Sequence, residues 1–103
     1  TFIDQCLADV DLCMKHIQSS AEQQDWEEFR ERAHALRGVT SNLGLVQVAA
    51  TSGELMRMAD WQLKAEWSVR VSSLAAALRS GRKALDARSA GVVRQDDGER
   101  SPS

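Results

Sequence analysis

The sequence predicts an all-α protein, an antiparallel up-down-up-down four-helix bundle followed by a disordered C-terminal tail. Three observations lead there. Ala, Leu, Glu, Gln and Arg are plentiful, Tyr is absent and the one Pro is Pro102 near the end, so helix propensity is high nearly throughout. Apolar side chains recur at three- and four-residue spacing in four separate stretches. Short polar or glycine-bearing links join those stretches, which makes sequence neighbours antiparallel. At 103 residues the chain is one small domain. Its 43% apolar and 27% charged residues exclude wholesale disorder.

The first helix is predicted from about Phe2 to Ser20. Its seam is Ile3, Leu7, Val10, Met14 and Ile17, at four-three-four-three spacing, with Asp4, Asp9, Asp11 and Lys15 off it. Ser19, Ser20 and the run Glu22-Gln23-Gln24 break the pattern and form the first loop. Asp25 then reads as an N-cap, with Glu28 three residues later completing an Asp-x-x-Glu form of the capping box. A second helix therefore spans Trp26 to about Asn42, with Phe29, Ala33, Leu36, Thr40 and Leu43 on one face. Gly44 follows, where a left-handed residue commonly ends a helix.

The third helix, about Leu45 to Ala59, is expected to pack through Leu45, Val48, Ser52, Leu55 and Ala59, with Ala49 and Gly53 small enough for a close helix approach. Asp60 is placed as the cap of a fourth helix, whose seam is Leu63, Trp67, Val71, Leu74 and Leu78. Gly81 takes the next seam position, so packing is expected to thin there. Residues 82–88 continue as an exposed helical end, with Lys83 and Arg88 near its negative pole. The bundle is thus assigned to residues 1–88. Residues 89–103 have too little apolar content to fold alone and are assigned to the tail.

Composition narrows the function. No apolar run approaches the roughly 20 residues of a membrane span, and no secretion signal opens the chain, so this domain is expected to make no direct membrane contact. The pattern begins in mid-helix, as in a piece of a longer protein. Cys6 and Cys13, seven apart on one helix, would hold their Cα atoms about 10 Å apart, too far for a disulfide and consistent with a reducing, cytoplasmic setting.

Net charge is only -2, but residues 1–31 carry eight acids and two bases while residues 70–94 carry six bases and one acid. We read these as solvated faces. Arg79, Arg82, Lys83 and Arg88 lack interleaved aromatics, so nucleic acid is not an expected partner. Cys13 and His16 could share a metal, but no set of four ligands is evident and none is expected. Trp26, Trp61 and Trp67 are assigned to packing, with Trp61 the most exposed.

The candidate site lies on the second helix. His34 falls roughly 140° from the centre of the apolar face, and Gly38 almost opposite that face. Glycine costs about 1 kcal/mol relative to Ala in a helix interior, so its presence there suggests a need for space above His34. An exposed imidazole is a competent nucleophile, and Arg37, three residues on, can neutralise an arriving anion. Arg30, Glu31, Ser41 and Asn42 share the surroundings and are the candidate partner-binding residues. Spacing alone leaves an incidental surface histidine equally open.

The run Ala33-His34-Ala35-Leu36-Arg37-Gly38, continued by Ser41-Asn42-Leu43-Gly44, resembles the A-H-x-L-K-G-x-x-x-x-L-G signature of histidine-containing phosphotransfer (HPt) domains. The likeness extends through Val48, Ser52 and Leu55. Arg37 departs from the usual lysine, putting a planar fork where the family has a compact point charge. Met56 departs from an acidic residue that often follows the leucine.

The resemblance implies that His34 accepts a phosphoryl group from a receiver-domain aspartyl phosphate and passes it on, with Arg37 neutralising charge and Gly38 clearing the approach. Mg²⁺ would sit on the receiver, leaving this chain without a cofactor. It implies a monomeric module without autokinase activity, part of a hybrid sensor histidine kinase and held on the cytoplasmic side of the membrane by that kinase, and the polar tail is read as placing it at the C-terminal end. Its partner would be a response-regulator receiver domain, in cis or in trans. No Gly-x-Gly nucleotide loop is present, in keeping with a carrier. The dimerising histidine helix of a sensor kinase would place an acid directly after the histidine and a proline four residues on, where this chain has Ala35 and Gly38. The remaining alternative is a docking module that binds a receiver or another protein without transferring phosphate.

Overall fold

The computed structural model describes the backbone of residues 2–98 and the side chains of residues 2–87. Four helices follow in order, α1 (Phe2–Glu22), α2 (Trp26–Asn42), α3 (Val46–Arg57) and α4 (Asp60–Gly98). Each packs on its sequence neighbour and α4 returns against α1, which closes the bundle. At the α1–α4 seam, Arg82 donates to Asp11 at 2.8 Å.

Two of the three chain reversals use the same device. α1 ends with Gln24 at φ 59°, the Gln24 amide donating to Ala21 O at 3.0 Å and the Asp25 amide to Ser20 O at 2.9 Å. α2 ends with Gly44 at φ 76°, the Gly44 amide donating to Ser41 O at 3.1 Å and the Leu45 amide to Thr40 O at 2.8 Å. Both are Schellman motifs, which satisfy carbonyls that a helix end leaves unpaired. The expected left-handed Gly44 is therefore present. The first loop is shorter than expected, because α1 keeps its helical bonding through Glu22.

The core is Val10 and Ile17 of α1, Phe29, Ala33, Leu36 and Thr40 of α2, Val48, Ser52 and Leu55 of α3, and Leu63, Val71, Leu74 and Leu78 of α4. Its buried hydroxyls bond back one turn, Thr40 to Leu36 O at 2.7 Å and Ser52 to Val48 O at 2.9 Å, so none is left unpaired. On α1 the buried stripe is Cys6, Val10, Ile17 and Ala21. Ile3 is exposed and Leu7 and Met14 are half-buried, because α1 faces both α2 and α4 and presents a stripe rotated from the expected seam.

The α3–α4 turn departs from the sequence reading. α3 stops at Arg57, and Met58 takes an extended conformation (ψ 142°) that buries its side chain, while Ala59 is exposed. Asp60 is the first residue of α4 rather than its cap. Ala59 occupies the cap position, its carbonyl accepting from the Gln62 and Leu63 amides and its amide donating to Gln62 Oε1 at 3.1 Å.

Packing does not thin at Gly81. A Cβ there would lie 3.0 Å from Leu45 Cδ2, so the glycine admits a close contact with the α2–α3 turn, and Leu85 one turn later is again buried. Helical backbone continues through residues 89–98, where the expected tail begins, since no proline intervenes before Pro102. Residues 99–103 lie outside the described residues.

Candidate functional site

α2 is fixed at both ends and from beneath, and this positions the candidate residues. At its start the Glu28 amide donates to Asp25 Oδ1 at 3.2 Å, the expected cap. Trp26 and Phe29 pack edge to face with ring centroids 5.6 Å apart. Ala33, Leu36 and Thr40 are fully buried below, and the Gly44 motif closes the end. His34 is thus an exposed imidazole in the middle of an anchored helix, with Arg37 and Gly38 exposed beside it. A Cβ built on Gly38 would meet nothing within 4 Å. The chain's own packing therefore does not require that glycine, and the space above it is open.

Glu31, Ser41 and Asn42 are exposed. Arg30 is not free in the same way. Its guanidinium donates to Met58 O at 3.0 and 3.2 Å, reaches Trp26 O at 3.4 Å and pairs with Asp60. It ties α2 to the α3–α4 turn. Arg37 lies over α3, with its Cδ and Nε each 3.8 Å from where a Cβ on Gly53 would stand, and Arg57 Nη1 is 3.7 Å from the same point. Gly53 is buried, and a Cβ there would make ordinary van der Waals contact with both arginine side chains. The sequence marks Gly53 only as a small packing residue and does not mark Arg57, because the Arg37 contact that brings them to this surface crosses from α2 to α3 and follows no period.

Other reactive groups stand apart from this surface. Cys6 is buried and Cys13 half-buried, both as free thiols. Burial pushes the Cys13 thiol up, opposed in part by the nearby Arg32 guanidinium, which is itself paired with Glu28. A thiol held protonated is a poor nucleophile. Among the described residues no three His, Cys, Asp or Glu side chains gather as a metal site, and His16 is exposed. Trp61 is 71% exposed, as its position suggested. No helix is long and apolar enough to cross a membrane among the described residues.

The family model of the Hpt domain matches residues 1–88. The chain is also similar to the sensory/regulatory protein RpfC of two strains of Xanthomonas campestris pv. campestris, 57% identical to each over 101 residues. That alignment covers 98% of this chain and 14% of each relative, so the chain spans about one seventh of their length. No solved structure matches.

Proposed function

The chain belongs to the Hpt domain family, and from that premise we propose that His34 is a phosphoryl carrier of a phosphorelay. It takes the group from an aspartyl phosphate of a response-regulator receiver domain and delivers it to another. One observation carries the reading: an exposed imidazole on an anchored helix, with nothing within 4 Å of the Cβ that Gly38 lacks. A receiver must bring its phosphoaspartate in line with a ring nitrogen, and any side chain at Gly38 would occupy that approach.

The step is a simple displacement. A lone pair on one imidazole nitrogen forms the N–P bond as the P–O bond to the aspartate breaks, and those electrons leave on the carboxylate. The proton on the other ring nitrogen is released to solvent from the phosphoimidazolium. Such transfers need positioning and charge neutralisation more than covalent machinery, and the receiver with its Mg²⁺ supplies much of both. This chain supplies a held nucleophile and the Arg37 cation, without autokinase activity, as a monomer. The parent protein, on this reading, is a hybrid sensor kinase that holds the module on the cytoplasmic side of the membrane.

The test is incubation with a phosphorylated receiver and Mg²⁺. The expected result is acid-labile, base-stable label on the wild type and none on His34→Gln. Label that persists in His34→Gln overturns the assignment. Receiver binding without any label favours the docking module instead.

A further inference from the structure

Two contacts bracket His34 along the α2–α3 interface. On one side Arg30 reaches Met58 O, and on the other the Arg37 side chain lies over Gly53. At about 100° per residue, His34 stands about 40° round α2 from Arg30 and about 60° from Arg37, on the solvent side of both and between them along the helix axis. The helices are antiparallel, and the Arg30–Met58 and Arg37–Gly53 contacts set their register. His34 therefore stands opposite the α3 turn that runs from Gly53 to Arg57.

Arg57 folds back along that turn. Its Nη1 and the Nε of Arg37 approach the same point, at 3.7 and 3.8 Å, and the missing side chain of Gly53 leaves that point open. Arg30, Arg32, Arg70 and Arg82 each have a carboxylate partner. Neither Arg37 nor Arg57 has one among the described residues. Glu54, on the same turn, is exposed and lines a polar depression with Arg57, Gln62 and Arg70, but it pairs with neither arginine. Two unpaired guanidinium groups that approach one point repel each other, and an oxyanion between them turns that repulsion into two charge-assisted contacts.

We infer that Arg57 is a second phosphoryl-binding cation, which forms with Arg37 a two-guanidinium seat over Gly53 for the oxygens of the group on His34. The inference rests on the carrier reading above. The chemistry recognised is an oxyanion. A receiver carboxylate has the same chemistry, but the phosphoryl group is the oxyanion that stays with His34 after the receiver leaves.

The experiment separates the two sources. The domain is loaded with phosphoramidate in the absence of a receiver, freed of reagent, and the phosphohistidine ³¹P signal is titrated with pH. Two cations beside the group favour its dianion, so Arg57→Ala is expected to raise the phosphoryl pKa by about 0.5 to 1 unit, and Arg57→Lys to return most of the shift. Single-turnover transfer to a receiver is expected to slow about tenfold in Arg57→Ala, with receiver affinity within about twofold of wild type. Arg57 is exposed and makes no hydrogen bond among the described residues, so the melting temperature should not fall. An unmoved titration overturns the inference. If receiver affinity falls in the same variant, the seat belongs to a receiver carboxylate. Failure of His34 to take up phosphate from either donor overturns the carrier reading itself, whereas phosphohistidine with an unmoved titration overturns only the role given to Arg57.

Discussion

Gly38 and Gly53 sit in helix interiors at helical φ, so neither is there for a left-handed backbone. Each keeps a volume empty, and the two volumes differ. Because a Cβ at Gly38 meets nothing, Gly38→Ala is expected to stabilise the domain by about 1 kcal/mol through helix propensity, measured by urea unfolding. Gly38→Gln should leave the bundle folded by circular dichroism while reducing phosphotransfer at least about tenfold, by obstructing the partner. Cys13 supplies a pH-linked contrast. Burial favours its neutral thiol, so at about pH 8 iodoacetamide should alkylate it more slowly in the folded domain than in the urea-unfolded chain. His34, Arg37 and Gly38 were legible in the sequence because their relation is intrahelical and one turn of spacing places them together. Where Arg37 rests was not legible. It depends on which residue of α3 faces it, and helical periodicity does not encode the register between two helices.

The helices themselves were legible to within about three residues at most boundaries, since propensity, caps and apolar spacing agreed. Their junctions were less so. Asp25 and Gly44 carry local signals, an acceptor side chain and a left-handed glycine. Gln24 carries no such signal, although it adopts the same left-handed conformation as Gly44. A side chain there costs about 1 to 2 kcal/mol, so Gln24→Gly is expected to raise the melting temperature, in contrast to Gly44→Ala, which should lower it. The α3–α4 turn is held from outside by Arg30. That clamp explains why Asp60, a plausible cap by residue type, faces an arginine of another helix instead. Arg30→Met would remove its bonds to Met58 O and the Asp60 pair. Because the ion pair is partly exposed, most of the expected loss of about 1 to 2 kcal/mol comes from the carbonyl bonds, and it should appear as a lower urea midpoint with an unchanged slope.

At the scale of the whole molecule, the up-down-up-down order follows from short links, and the closed ring of neighbours follows from four apolar faces that must all be buried. The extent of α4 did not follow from those rules. Residues 86–98 have helix-compatible composition without a seam, which leaves propensity alone to set their helical backbone. Every candidate residue lies on α2 or on the α3 turn facing it, and Arg30 fastens the far end of that pair to the start of α4. The surface is consequently the product of one helical hairpin, residues 26–58, and its assembly requires a single local chain reversal. In kinetic terms this is a low contact order, and refolding on the order of milliseconds or faster is expected by stopped-flow fluorescence of the tryptophans. A chain reopened between α1 and α2, with its old ends joined, should fold on a different schedule and still present the same histidine.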